Sequence, residues 1–298
     1  MAPTKLNFVT LDVFTSTPYL GNPLAIIRVP KEHQETLSQE QKLTIAKEFN
    51  LSETVFLHEG DADAPIRVDI FMVDKELPFA GHPTVGSSWY LFSLNPSRET
   101  ITLRTKAGDI PVVRGEGGKV QLQVPTNFKI HDPRAQPRVK GLQPRLESKD
   151  YVNGLDGLEP LASIVKGIAF VLLEVTSEDA LTRLQPSPER ITISEIGDWG
   201  NFIALYAFFI REDGVVRTRM FEGLLEDPAT GAAASTLGGY LGKKRGAGRH
   251  VIDIVQGIEM GRKSEIRVVV DIGTDGEIDK IQLGGLAVQI MEGSLLVP

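Results

Sequence analysis

Glu226-Asp227-Pro228-Ala229-Thr230-Gly231-Ala232-Ala233-Ala234 is the stretch on which the reading of this chain turns. A polar residue, a proline and a run of small residues spell the start of a helix, with Asp227 as N-cap and Pro228 on the first turn. Small side chains leave the first backbone N–H groups open, and the helix dipole gives that end partial positive charge, so a carboxylate is well held there. An echo stands at Gly81-His82-Pro83-Thr84-Val85-Gly86-Ser87-Ser88. Pairing His82 with Asp227, 145 residues on, sets Pro83 on Pro228, Gly86 on Gly231 and Ser87-Ser88 on Ala232-Ala233. Each copy is followed by an alternating stretch that stops at glycine, Ile101 to Gly108 and Val251 to Gly257, as strands do. The repetition predicts two similar lobes whose helix starts face one cleft, a site for a small anionic molecule with His82 and Asp227 at its rims. Ordinary capped helices with small residues for close packing would look the same in either copy alone.

The chain has 298 residues, enough for two lobes of about 150 residues each, each with its own core. Its net charge of −7, from 32 basic and 39 acidic residues spread along the chain, argues against nucleic acid or an anionic membrane as partner. There is no cysteine, which excludes disulfides, thiolate-bound metals and any thiol nucleophile or base. The five histidines lack metal-ligand spacing, so no metal is expected. Met1 to Leu20 alternates polar with apolar residues and has no secretory h-region. The apolar block Ile168 to Leu173 is too short to span a bilayer, so the expectation is a soluble, cytoplasmic protein.

In chain order, Leu6 to Phe14 and Leu24 to Val29 read as strands, and Ser38 with Gln41 forms a capping box that opens a helix ending at Asn50. Glu53 then stands on the joint between that helix and the strand Thr54 to Leu57. Apolar neighbours on both sides predict a pKa raised by desolvation, suited to taking and returning a proton near neutrality. A solvated glutamate on a turn has the same local sequence. Arg67 to Val73 is a strand and Pro111 to Val124 a hairpin turned at Gly115 to Gly118. The proline-rich, charged stretch Pro125 to Leu146 reads as a linker. Ile168 to Val175, Phe202 to Ile210, Ser264 to Asp271 and Lys280 to Val288 read as strands of the second lobe. The last strand, Ala287 to Leu295, could cross back to the first.

Laid out this way, the chain resembles the PhzF-like family, the phenazine-biosynthesis isomerase and its relatives, which share the diaminopimelate epimerase fold. The matching pieces are Asp12-Val13-Phe14-Thr15, Gly21-Asn22-Pro23-Leu24-Ala25, Asn50-Leu51-Ser52-Glu53-Thr54, Glu76-Leu77-Pro78-Phe79-Ala80-Gly81-His82-Pro83-Thr84, Glu226 to Gly231 and Gln256-Gly257-Ile258-Glu259-Met260-Gly261-Arg262. The resemblance implies an α+β fold of two pseudosymmetric lobes, each a barrel-like, mostly antiparallel sheet around a central helix, with the active site in the cleft between them. The lobes would be residues 1–125 with 287–298, carrying Glu53 and His82, and residues 126–286, carrying Asp227. It also implies a homodimer and a reaction without a cofactor. The acid/base group falls on Glu53, and the substrate-binding residues on Ser52, Gly81, His82, Asp227, Thr230, Gly231 and Ala232. In the phenazine enzyme the glutamate moves a proton along a conjugated cyclohexadiene carboxylic acid.

Related epimerases and proline racemases use two opposed thiols, which this chain lacks, leaving a single carboxylate to move a proton on one face. Two features depart from the family pattern. Ala232 stands where relatives carry a serine hydroxyl, and Phe221-Glu222-Gly223-Leu224-Leu225-Glu226 is short and acidic, with ends expected to repel a carboxylate. The chain therefore reads as a cofactor-independent isomerase of a small carboxylated or amino-bearing substrate, with specialised metabolism as the expected setting. The alternative is a non-catalytic small-molecule-binding or interaction protein that kept the cleft, with a racemase as a third reading.

Overall fold

The computed structural model describes residues 4–60 and 64–298, so the start of the Met1 to Leu20 stretch lies outside the described residues. The chain forms two compact units, Met1–Gln123 with Leu283–Pro298, and Val124–Gln282. The first contains β1 (Lys5–Val13), β2 (Asn22–Val29), α1 (Gln39–Phe49), β3 (Thr54–His58), β4 (Ile66–Phe71), β5 (Glu76–Leu77), α2 (Gly81–Leu94), β6 (Thr100–Thr105), β7 (Gly108–Arg114) and β8 (Val120–Gln123). There follow β9 (Lys129–Ala135), α3 (Pro137–Gly141), β10 (Leu158–Val165), β11 (Ile168–Glu174), α4 (Glu178–Arg183), β12 (Phe202–Ile210) and β13 (Val216–Glu222). The chain continues through β14 (Leu225–Asp227), α5 (Gly231–Arg245), β15 (Gly248–Gln256), β16 (Ser264–Ile272) and β17 (Ile278–Gly285), and β18 (Ala287–Leu296) returns to pair with β1. The fold is α+β and dominated by sheet. Among the described residues no helix is long and apolar enough to cross a membrane.

Strand pairing reveals how the sequence repeats. In the first unit β1 pairs antiparallel with β18 and β2, β2 parallel with β3, β3 antiparallel with β4, and β4 antiparallel with β5 and parallel with β6. In the second, β10 pairs antiparallel with β9 and β11, β11 parallel with β12, β12 antiparallel with β13, and β13 antiparallel with β14 and parallel with β15. Ile70 opposes Leu77 and Phe71 opposes Glu76, as Met220 opposes Asp227 and Phe221 opposes Glu226. The repeat is therefore 150 residues and not 145: Glu76 matches Glu226, Leu77 matches Asp227, Pro78 matches Pro228, Gly81 matches Gly231 and His82 matches Ala232. The shared Pro-x-x-Gly spacing drew the sequence alignment five residues out of register, and only the strand pairing corrects it.

The helix starts move accordingly. Asp227 ends β14 and Pro228 precedes α5; the N-cap residues are Ala80 and Thr230, and neither side chain caps its helix. Small residues in both helices serve packing, since a helix apolar on all sides is buried on all sides. A Cβ on Gly86 would lie 2.5 Å from Leu24 Cδ2, and one on Gly238 2.6 Å from Val268 Cγ1. The α2 helix packs on β1, β2, β3, β6, β8 and β18, and α5 on β10, β11, β15 and β16.

The Pro125 to Leu146 stretch read as a linker holds β9 and α3 instead. Pro133 and Pro137 sit where a strand and a helix tolerate them. The register between β9 and β10 breaks at Pro133, with His131 opposite Leu161 and Arg134 opposite Glu159, and Pro137 opens α3.

The helix α1 forms as its sequence predicts. Ser38 and Gln41 make a reciprocal capping box, and Asn50 closes the helix in the left-handed region at φ 49°. The face of α1 that meets β1 to β4 joins Ile45 and Ala46 to Leu6, Ile27, Val29, Phe56 and Phe71. Within this apolar layer Lys42 Nζ lies 2.5 Å and His58 Nε2 2.8 Å from the same Asp69 oxygen, all three side chains nearly or fully buried. Burial pushes the Asp69 carboxyl up, but hydrogen bonds and charge from His58 and Lys42 outweigh it and hold the group far below its ordinary value. A carboxyl depressed on folding adds stability that is complete above its unfolded pKa and is lost as pH falls toward the folded one. Asp69→Asn should cost about 2 kcal/mol in urea unfolding at neutral pH. The gap from wild type should narrow as pH drops below about 4. A gap independent of pH would assign the loss to packing.

Candidate active site

Because Asn50 ends α1 and β3 begins at Thr54, Ser52 and Glu53 are fixed on a tight joint. Pairing of β2 with β3 places Ala25 opposite Thr54, which brings the joint beside Pro23 at the start of β2. The His82 side chain, on the first turn of α2, meets both. Its Nδ1 lies 3.1 Å from Glu53 Oε2 and its Nε2 3.2 Å from the Pro23 carbonyl oxygen. A carbonyl only accepts, so Nε2 carries a hydrogen and donates it. Nδ1 is then the ring nitrogen that faces Glu53 Oε2. Pro23 thus sets the tautomer, a role that the Gly21-Asn22-Pro23 motif displays as residues but not as geometry.

Glu53 is 18% exposed at its side chain and His82 4%. Burial pushes the Glu53 carboxyl up, but the hydrogen bond and charge of His82 and the hydroxyl of Ser52 outweigh it and hold the group below its ordinary value. The sequence expectation of a raised pKa is overturned, because the joint alone shows the desolvation and not the imidazole brought from 29 residues away. In its resting form Glu53 is a carboxylate, ready to accept a proton. Gly81 precedes His82 as the first residue of α2 and is buried, so the helix opens on a residue with no side chain.

In the second unit, Thr230 turns its hydroxyl to Asp227, donating to Oδ2 at 2.5 Å, in place of capping α5. Gly231 opens the helix and Ala232 follows, half-buried. The Gln256 amide donates to the Asp227 carbonyl at 2.7 Å and to the Thr230 hydroxyl oxygen at 3.1 Å, while its oxygen accepts from the Tyr206 hydroxyl at 3.0 Å. Neither Gln256 nor Tyr206 was singled out by sequence; Gln256 stands in a quoted motif, but its direction into the core shows only in the fold.

The expected repulsion from the acidic turn does not hold within this unit. Glu222 pairs with Arg190 at 2.9 Å, and Glu226 accepts two hydrogen bonds from Arg219 at 2.8 and 2.9 Å. Arg190 lies 32 residues before Glu222, and Arg219, though near in sequence, meets Glu226 only through the pairing of β13 with β14. Among the described residues no group of three or more histidine, aspartate or glutamate side chains is placed to hold a metal ion.

Residues 11–293 match the family of phenazine biosynthesis-like proteins, PhzC-PhzF. An uncharacterized isomerase of Pasteurella multocida is 32% identical, covering 99% of this chain and 96% of its own. The trans-2,3-dihydro-3-hydroxyanthranilate isomerase of Pseudomonas aeruginosa is 29% identical, covering 96% and 98%. The fold matches that of a PhzF-family phenazine biosynthesis protein from Bacillus anthracis with a TM-score of 0.82 at 24% identity, over 99% of this chain and all of the other. With a family match over nearly its whole length and relatives that align end to end, the chain belongs to the phenazine biosynthesis-like PhzC-PhzF family.

Proposed function

We propose that the protein is an isomerase that moves a proton within a small, conjugated, carboxylated or amino-bearing substrate, with Glu53 as the acid/base group. The observation that carries this reading is the Glu53–His82 pair, a partly exposed carboxylate held ionised by an imidazole whose other nitrogen is pinned. Glu53 takes the proton from a carbon allylic to a double bond, and the electron pair of the broken C–H bond moves into the conjugated system. The same proton is then delivered to the far end, forming one new C–H bond. Atoms, charge and oxidation state balance, so the step draws on no cofactor. His82, fixed through its other nitrogen on the Pro23 carbonyl, holds Glu53 Oε2 in place while the proton is taken and returned. A two-thiol racemase mechanism is closed to a chain without cysteine. Asp227, Thr230, Gly231 and Ala232 are assigned to substrate binding.

Untargeted incubation of cell extract in deuterium oxide, comparing wild type with Glu53→Gln, tests the reading. A metabolite isomerised or deuterated only by wild type supports it. Ligand capture by both proteins with turnover by neither favours the non-catalytic binding protein.

Ala232 bears on the substrate class. Since Arg190 and Arg219 neutralise the neighbouring glutamates, the missing hydroxyl is the principal departure left at this position. Ala232→Ser should tighten binding of 3-hydroxyanthranilate, a non-reactive planar acid, by about 1 kcal/mol in calorimetric titration. Tight binding by wild type with no gain from serine would show that Ala232 does not set specificity.

A further inference from the structure

The Gln256-Gly257-Ile258-Glu259-Met260-Gly261-Arg262 motif contributes no reacting group to the reading above, yet its first residue is among the most buried polar side chains of the protein. The orientation of the Gln256 amide follows from its partners. The Asp227 carbonyl can only accept, so it meets Nε2 at 2.7 Å. The Thr230 N–H can only donate, and it meets Oε1 at 3.4 Å, as the Tyr206 hydroxyl does at 3.0 Å. Burial, together with the nearby Asp227 charge, pushes the Tyr206 phenol up, so it stays neutral and keeps its hydrogen. With the amide fixed, Nε2 occupies a lone pair of the Thr230 hydroxyl at 3.1 Å, and that hydroxyl gives its single hydrogen to Asp227 Oδ2.

Gly257 completes the brace. Its φ is +77°, and a Cβ there would stand 2.7 Å from the Pro228 carbonyl oxygen. The first unit secures the matching loop differently. The strand register sets Arg104 against Arg67 and Val255 against Arg217, so Thr105 is the counterpart of Gln256. There Pro78 is held by the Ala107 backbone N–H at 3.0 Å, with no side-chain amide involved. Among the described residues the amide device belongs to the unit that carries Asp227.

We infer that Gln256, backed by Tyr206, is a positioning residue that orients the Thr230 hydroxyl onto Asp227 and so sets the direction of that carboxylate. The inference rests on the reading that Asp227 binds substrate, but its first test needs no ligand. In protein carrying 13C at the aspartate carboxyl carbons, Gln256→Leu and Thr230→Val should each shift the Asp227 signal while the Asp69 signal stays. The double variant should shift it no further than Thr230→Val alone, because the two act in one chain. An unmoved Asp227 signal, or fully additive shifts, overturns the inference. Should Gln256→Leu fail to fold, Tyr206→Phe removes a single oxygen and is judged by the same signal.

The second readout is turnover of trans-2,3-dihydro-3-hydroxyanthranilate as probe. Gln256→Leu is expected to raise KM about tenfold and to leave kcat within about twofold, since it alters binding and not the Glu53 proton transfer. A fall in kcat at constant KM overturns the inference. Wild type that does not turn over this acid counts against the proposed substrate class alone, and the Asp227 signal then decides the role of Gln256.

Discussion

Glu53→Gln should keep the fold and cut turnover by about a hundredfold to ten-thousandfold, the span typical of a general acid–base group. The amide matches the carboxyl in shape, can meet His82 Nδ1 with its N–H and can still accept from the Ser52 hydroxyl, so the joint between α1 and β3 has no reason to move. What it lacks is a site that takes up a proton. Binding of a non-reacting acid should change little, which makes this a loss in kcat with KM nearly retained. The pH profile supplies a further check. Because His82 and Ser52 hold the Glu53 carboxyl below its ordinary value of 4.5, the base form persists in acid, and kcat/KM should fall only as pH drops through that lowered value. An acid limb near neutrality would mean that the titrating base is another group. Full turnover of the true substrate by Glu53→Gln would remove Glu53 from the chemistry altogether.

Much of the fold and part of the site are legible in the sequence. The capping box at Ser38 and Gln41, the left-handed Asn50 and the return of the last strand all depend on local pattern, and local pattern is what a sequence displays. The candidate residues Ser52, Glu53, Gly81 and His82 do come together, since the joint after α1 and the start of α2 are both near Pro23. The errors share one cause, which is that pairings made in space, and not the local pattern, decide the outcome. The 145-residue repeat followed a proline and a glycine, whereas the 150-residue repeat follows the opposition of Phe71 with Glu76 and of Phe221 with Glu226. The direction of the Glu53 shift depends on His82, the neutrality of the acidic turn on Arg190 and Arg219, and the brace behind Asp227 on Gln256 and Tyr206. None of these pairings has a periodicity that could announce it.

Lys140→Met should destabilise the second unit by about 3–5 kcal/mol, the cost of leaving a buried charge without its partner. The stretch that holds Lys140 reads as a linker, yet Lys140 Nζ lies 2.6 Å from Glu159 Oε1 with both side chains fully buried. The ammonium also donates to the carbonyls of Gly154 and Gly157 at 2.6 and 3.2 Å and lies 5.5 Å from the Tyr151 ring centre. On the other side, Glu159 Oε2 accepts from Asn153 at 3.0 Å, while Oε1 is at ion-pair distance from Lys140 but outside hydrogen-bond geometry. The lysine therefore ties α3 to the 153–157 turn and to β10 at once, and methionine keeps its bulk while removing every donor. Glu159→Leu added to Lys140→Met should recover most of the loss, because desolvating a pair costs nearly as much as its attraction returns. The two tryptophans, Trp89 in the first unit and Trp199 in the second, allow a direct measurement. In a Trp89→Phe background, urea unfolding followed by Trp199 fluorescence reports the second unit alone. A cost below about 1 kcal/mol for Lys140→Met would show that Glu159 takes up a proton or meets water once the lysine is gone, and that the pair is no anchor. A double variant as unstable as Lys140→Met would place the cost in the lost carbonyl contacts of the turn and not in the orphaned carboxylate.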